Sequence, residues 1–414
     1  MANKITRENI GSPNAPFYTP PSGTLVKTTQ SNGVISKIPS LFTSLKIRGI
    51  TLPNRIALSP MCMYCAAGDG TLTDWHLVHL GQFALRGAGL IMVEATAVTP
   101  EGRLSPQDSG LWKDEQIAPL KRIVDFVHSQ GVKIGIQLAH GGRKSSTIAP
   151  FINAKAYENN KITFPQLLPE EFGGWPNDVF GPSPVQWDAE HANPKELTIE
   201  QIHMIQEAFV AAAKRAEKAG FDIVELHYAH GYLAHEFFSP ISNKRTDKYG
   251  GSFENRVRFG LETAKKVREI WSEDKPLFVR ISATDLVEDD EEDSWEIKQS
   301  VELSKLFKDL GVDLIDVSSG GNTPKQKLLL KELYQVPFAE EIKKNVDINV
   351  AAVGKINDPK LANGIVENGQ ADLVFIGRGY LADGNWAIRA AKELGVIIQT
   401  PVQYHYVIKN MMKL

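Results

Sequence analysis

The sequence predicts an α/β fold of the (β/α)8 type, a TIM barrel formed by a single domain. Three observations lead there. Eight short apolar runs recur along the chain, segments with helical spacing separate them, and no G-x-G-x-x-G turn follows an early strand, as the competing open doubly wound sheet would need.

Composition bounds the class first. The chain has 414 residues, 42% hydrophobic and 23% charged, the make-up of a soluble globular protein. A formal net charge of −3 shows neither the basic excess of a nucleic-acid binder nor the acidity of a solvating tail, which leaves a small molecule as the default partner. No apolar run reaches the roughly 20 residues of a membrane span, and the opening "MANKITRENIGSPNAPFYTP" lacks the apolar core of a secretory signal. The expectation is a soluble, cytoplasmic protein. Two cysteines do not make a disulfide scaffold, and the terminal "MKL" (412–414) only weakly resembles a peroxisomal tripeptide.

Residues 1–38 are polar and rich in Pro, Gly, Ser, Thr and Asn without apolar periodicity, so they read as an N-terminal extension to a barrel over 39–414. The strand candidates follow in order: "RIALSP" from Arg55, "GLIMVEA" from Gly89, "VKIGIQL" from Val132, "FDIVELH" from Phe221, "LFVRIS" from Leu277, "VDLIDVS" from Val312, "INVAAVG" from Ile348 and "ADLVFIG" from Ala371. Their near-continuous apolarity implies burial on both faces, and strict alternation with helices implies parallel pairing through right-handed crossovers. Helical segments include "DEQIAPLKRIVDFVHSQG" ending at Gly131, a long one from Gln201 to a C-capping Gly220 with its capped start in Leu197 to Glu200, "SVELSKLFKDLG" ending at Gly311 and "DPKLANGIVENG" ending at Gly369. The longest gap, 141–198, is rich in Trp and Phe and is expected to cover a site. The acidic run "EDDEED" (288–293) reads as a solvated loop before a helix.

Barrels place their chemistry at the C-terminal ends of the strands. The first strand end gives "SPMCMYC", and Cys62 and Cys65 with His76 and His79 form C-x2-C-x10-H-x2-H. That pattern invites a zinc or dithiol module, but the spacing is off the usual finger, the domain is large enough to fold without metal, and Cys62 ends a strand rather than starting a helix. No metal is assigned. The fourth strand end, "ELHYAHGYLAHEFFSP", carries His227, His230 and Tyr232. Two neutral imidazoles can donate hydrogen bonds to one substrate oxygen, and a phenol two residues on can deliver a proton. His235 continues the pattern and reads as packing.

Gln137, ending the third strand, offers an amide to a heterocycle, and Arg280, mid-strand in "FVRIS", would be a buried cation in need of an anionic or carbonyl partner. Gly354, Gly377, Arg378 and Gly379 lie at the seventh and eighth strand ends, where barrels bind phosphate. A phosphate at one end and a polar ring system at the other describe FMN.

At these residues the chain resembles the Old Yellow Enzyme family of FMN-dependent ene-reductases, and more narrowly its class with a cysteine beside the flavin, to which xenobiotic reductases and thermophilic-like enzymes belong. The resemblance runs from about Leu41 to Tyr404 through "SPMCMY", "VEATAV", "IGIQLAHGGRK", "HYAHGYLAHEFFSPISNKRTDKYGGSFENRVRF" and "ADLVFIGRGYL". It implies that Ser59, Pro60, Met61 and Ala95 line the flavin, that Cys62 tunes it, that Gln137 and Arg280 hold its pyrimidine side, and that Gly354, Gly377 and Arg378 hold its phosphate. It further implies Tyr64 in the substrate pocket, His227 and His230 on the activating group of an α,β-unsaturated carbonyl or nitro substrate, and Tyr232 as proton donor to the α-carbon. The implied cycle is ping-pong, with hydride passing from NADPH or NADH to flavin N5 and on to the β-carbon.

Two positions depart from the family pattern. The common "HAAHGYL" is "HYAHGYL" here, so Tyr228 brings bulk close to the histidine pair. The family's usual C-terminal arginine, which reaches a neighbouring subunit, is replaced by Tyr406 in "QYHYVIKN", so any homo-oligomer would lack that finger. The related dienoyl-CoA reductases need a cysteine cluster for iron and sulfur that two cysteines cannot supply.

Overall fold

Strands buried on both faces must be covered on both, and the chain achieves this by closing its sheet. The computed structural model describes residues 23–28, 37–160, 164–287, 293–404 and 406–408. Most of the N-terminal extension, 288–292 of the acidic run and the "MKL" terminus lie outside these residues. Eight parallel strands, β1 (Ile56–Leu58), β2 (Leu90–Ala97), β3 (Lys133–Ala139), β4 (Ile223–Tyr228), β5 (Leu277–Ser282), β6 (Leu314–Ser318), β7 (Asn349–Val353) and β8 (Leu373–Ile376), pair in chain order and close β8 onto β1. All eight predicted strands are barrel staves, and the (β/α)8 fold stands.

Between successive strands run α1 (Asp74–Ala84), α2 (Ile117–Ser129), α3 (Ile199–Ala219), α4 (Arg258–Ile270), α5 (Ile297–Asp309), α6 (Val336–Asn345) and α7 (Pro359–Glu367), with α8 (Trp386–Glu393) after β8. α3 shows why its boundaries were readable. Thr198 Oγ1 accepts the Gln201 N–H at 3.2 Å, Gln201 Oε1 accepts the Thr198 N–H at 2.9 Å, and Gly220 ends the helix at φ +93°. Among the described residues no helix is long and apolar enough to cross a membrane.

Side-chain parity divides the core. Along β4, Val224, Leu226 and Tyr228 face the helices, whereas Ile223 joins an inner cluster with Ala57, Leu90, Met92, Phe278, Leu314, Ala351, Leu373 and Phe375. A hairpin, Leu45–Ile47 paired with Ile50–Leu52, packs into that cluster and plugs the N-terminal end of the barrel. The inward positions nearer the C-terminal end are polar, so one end of the barrel is an apolar plug and the other a site. Tyr228 sits against Phe209, Phe238 and Phe307 and donates its hydroxyl to Gly260 O at 3.3 Å. Its bulk therefore fills the barrel–helix layer, facing away from the inward His227 beside it. Within the extension, Leu25–Thr28 forms a strand antiparallel to Val396–Ile398.

Candidate active site

The polar end of the barrel is built by strand register. Gln137 lies opposite Glu225, His227 opposite Arg280, and Arg280 opposite Asp316. Gln137 Nε2 donates to Glu225 Oε1 at 2.7 Å. Arg280 Nε lies 3.1 Å from Asp316 Oδ2 but off the hydrogen-bond axis, and its Nη1 reaches Ser59 Oγ at 3.5 Å. Burial raises the pKa of Glu225 and of Asp316, against the pull of Arg280. Glu225 and Asp316 were not singled out from the sequence, although they share the inward parity of His227 and Arg280 and interrupt otherwise apolar runs.

Above this layer opens a cavity of about 450 Å³. Ser59, Pro60, Met61, His230, Arg280, Gly354, Gly377 and Arg378 line it together with Lys355 and Tyr334. Gly354 stands at φ +116°, and a Cβ there would lie 2.7 Å from Gln335 Nε2, so both conformation and space call for glycine. A second cavity of about 530 Å³ is lined by Tyr64, Tyr232, Lys144 and residues of the 141–198 segment, including Phe164, Trp187 and Asp188.

His230 lines the first cavity and Tyr232 the second, and the buried His227 ring packs against both. Its ring centroid is 5.0 Å from that of His230 and 5.1 Å from that of Tyr232. Burial, then the Arg280 charge, holds both histidines well below the usual imidazole range, so they are neutral. Ser318 Oγ lies 2.7 Å from His230 Nε2 and 3.1 Å from Gln335 Oε1. Its one proton thus selects the tautomer: given to the ring, it leaves Nδ1–H as donor; given to Gln335, it leaves Nε2–H. His230 and Gly231 are both left-handed, at φ +63° and +70°, and a Cβ on Gly231 would lie 2.2 Å from Gly321 O. His235, read as packing, accepts the Gly231 N–H at 3.0 Å and faces Asp285 at 3.1 Å, so it secures this turn.

Cys62 is a free thiol. Burial, then Asp108 and Glu94, pushes it well above the usual thiol range, so it is held as S–H. Burial likewise raises Tyr64 and Tyr232, with the Cys62 neighbourhood adding to both. Ala95 lies against Cys62, whose sulfur its backbone contacts. Lys144, missed in the sequence, donates to His230 O at 2.9 Å and to Gly321 O, with its ammonium 4.6 Å from the Trp187 ring centroid and 5.7 Å from that of Tyr232. Burial and then Arg143 push it down to about 7. Of the zinc-like pattern, His79 stacks on Trp75 at 4.7 Å and His76 accepts the Thr73 N–H. Among the described residues no three His, Cys, Asp or Glu side chains form a metal-binding group.

The chemistry of this donor set fits FMN. Arg280 lines the first cavity, and His227 Nδ1, next to the His230 that walls it, is buried without a hydrogen-bond partner, as expected of groups that meet a ligand with ring donors and acceptors. Arg378 and Lys355 supply cations at the strand ends where a phosphate belongs. A closed parallel barrel with such a C-terminal mouth defines a flavin-dependent oxidoreductase of the (β/α)8 class.

The chain belongs to the NADH:flavin oxidoreductase / NADH oxidase family, whose model matches residues 40–396, and with it to the Old Yellow Enzyme family. It is similar to the NADH:flavin oxidoreductase FG08077 of Gibberella zeae, at 44% identity over 99% of this chain and 98% of the relative. It is 45% identical to the NADPH dehydrogenase of Geobacillus thermodenitrificans over 88% of this chain and 97% of that one. A solved morphinone reductase in complex with tetrahydroNAD superposes with a TM-score of 0.69 at 26% identity, covering 87% and 93% of the two chains. A 2-naphthoyl-CoA reductase, of which this chain spans 53%, shares the fold at 23% identity and a TM-score of 0.74. The protein is an NAD(P)H-dependent flavin oxidoreductase with FMN as its cofactor.

Proposed function

We propose that the protein is an ene-reductase that saturates the activated double bond of α,β-unsaturated carbonyl or nitro compounds. The observation that carries this is the triad of rings His227, His230 and Tyr232, which joins a cavity fit for flavin to a cavity lined by aromatic and polar side chains. Bound FMN supplies the hydride, taken from NAD(P)H and passed to the β-carbon of the alkene. Neutral His227 and His230 hold the carbonyl or nitro oxygen and stabilise the charge that develops there. Tyr232, kept protonated by its burial, gives its proton to the α-carbon. Gln137 and Arg280 bind the pyrimidine side of the flavin, Ser59, Pro60, Met61 and Ala95 line it, and Gly354, Gly377 and Arg378 hold its phosphate.

On this reading Cys62, held as a thiol, tunes the flavin rather than attacking the substrate, as in the family's cysteine-bearing class. Tyr64 shapes the alkene pocket. Tyr406 is 76% exposed, and in an oligomer it would offer a phenol where relatives offer an arginine.

The test is the visible spectrum of the purified protein, taken anaerobically, after NADPH and again after cyclohexenone. A flavin band that bleaches and then returns is the expected result. A flavin that bleaches but is not reoxidised by any enone or nitroalkene overturns the proposal.

A further inference from the structure

One buried carboxyl group has no part in that reaction. β2 bulges at Glu94–Ala95: Val93 pairs with Ile136 but Thr96 pairs with Leu138, so two residues of β2 face one of β3. Bulges re-aim side chains beside active sites. Here Glu94 Oε1 accepts the Met63 N–H at 3.3 Å, and Glu94 Oε2 lies 3.6 Å from Nε2 of the buried His76 in the first turn of α1. Because Thr73 N–H donates to His76 Nδ1 at 3.2 Å, the neutral ring carries its proton on Nε2, the nitrogen turned toward Glu94.

The Met63 peptide is held at its other end as well, where Met63 O accepts the Cys65 thiol at 3.1 Å. On either side of Met63 stand Cys62 and Tyr64, and Tyr64 is left-handed at φ +55°. A non-glycine residue persists in that region only where its surroundings enforce it. Glu94 is a buried side chain that ties the Met63 amide to the barrel, and burial raises its pKa to about 8. The other ionisable groups near it are Asp108, Cys62, Tyr64, Cys65 and His76.

We propose that Glu94 is a positioning residue of the flavin site: steered by His76, it holds the Met63 amide and so sets the turn that delivers Cys62 and Tyr64. For Tyr64 this rests on the alkene site proposed above. The test compares the anaerobic midpoint potential of the bound flavin in the wild type, Glu94→Leu, Glu94→Gln, Cys62→Ala and the Cys62→Ala/Glu94→Leu double variant. The leucine cannot accept the Met63 amide, so the potential should shift in the direction given by Cys62→Ala, and the double variant should shift no further than Cys62→Ala alone. Glu94→Gln keeps an acceptor and should stay near the wild type. In turnover, Glu94→Leu should raise the alkene KM at least fivefold while flavin reduction by NADPH stays within twofold.

An unchanged potential in Glu94→Leu, additive shifts, or a glutamine variant as damaged as the leucine one overturns the proposal. If Glu94→Leu does not fold, His76→Leu takes its place. A smaller shift in the same direction then supports the assignment, and a wild-type potential overturns it. The potential is read without any alkene, so a protein that reduces no alkene would sink the function proposed above and leave this test intact.

Discussion

Replacing Tyr232 by phenylalanine removes one hydroxyl and leaves the fold its ring. The Tyr232 ring centroid lies 5.1 Å from that of His227 and 6.3 Å from that of His230, with the Lys144 ammonium 5.7 Å from its face, and phenylalanine keeps these contacts. Its backbone caps the helix Leu233–Phe238 without help from the side chain. Burial, with Cys62 and Tyr64 adding, keeps the phenol protonated far into the alkaline range, so Tyr232 itself should add no titration to proton delivery between about pH 6 and 9. A positioned acid contributes about 10²–10⁴-fold, which at about 1.4 kcal/mol per decade is about 3–5 kcal/mol of barrier. The assay is anaerobic stopped-flow at the flavin absorbance, with the two half-reactions measured apart. Reoxidation by cyclohexenone should slow by that factor, while reduction by NADPH, which protonates no carbon, stays within about twofold. Equal slowing of both halves, or less than about threefold slowing of the alkene half, would refute the assignment of Tyr232.

Three further perturbations are decided by burial. Cys62→Ala removes a neutral thiol, so the flavin-loaded variant should show a shifted midpoint potential and altered alkene KM with turnover reduced but present; complete loss of turnover would contradict this. Glu236, buried under Arg143, has its pKa raised from 4.5 to about 8 by burial. The native state therefore holds a proton that the unfolded chain has released, and stability is lost as pH rises from about 4.5 to 8. Glu236→Gln should melt progressively higher than the wild type between about pH 5 and 8, and a melting difference that does not grow with pH across that window would exclude that cost. Tyr228→Ala should lose about 3–5 kcal/mol in chemical denaturation, because Tyr228 is fully buried among Phe209, Phe238 and Phe307, yet it should keep its FMN; flavin loss with little change in stability would place the ring at the site instead.

The strands were legible because a barrel stave is buried on both faces, and burial on both faces writes itself as a short unbroken apolar run. Parity inside the strands was equally present in the sequence: once His227 is turned inward, Glu225 must follow, since a strand alternates every residue, whereas Asp316 takes its direction from its register opposite Arg280. Glu94 shares the parity of the inward Leu90 and Met92, but the bulge at Glu94–Ala95 arises from pairing with β3 and leaves no local mark. The 141–198 segment was unreadable for a related reason. Its helix Pro150–Asn160 has almost no amphipathic pattern, and its anchors are distant, with the Trp187 indole donating to Gly321 O at 3.1 Å and the Arg143 guanidinium donating to Val185 O at 3.0 Å. The hairpin Leu45–Leu52 that plugs the barrel was also missed, since its strands are only three residues each and too short to show a period.

The seam that closes the barrel carries a consequence for how the chain is made. Ile56 pairs with Val374 and Leu58 with Ile376, and Leu25 pairs with Ile398 in a second ladder. A chain emerging from the ribosome must keep the outer edge of its first stave open until nearly the whole sequence has been synthesised, exposing backbone donors and acceptors to neighbouring nascent chains. Closure then depends on pairing the first stave with the last, far apart in the sequence, which makes it late and slow. The second ladder brings residues 25 and 398 side by side, so a permuted gene that links these two positions directly and opens the chain at a surface loop would keep every stave in register.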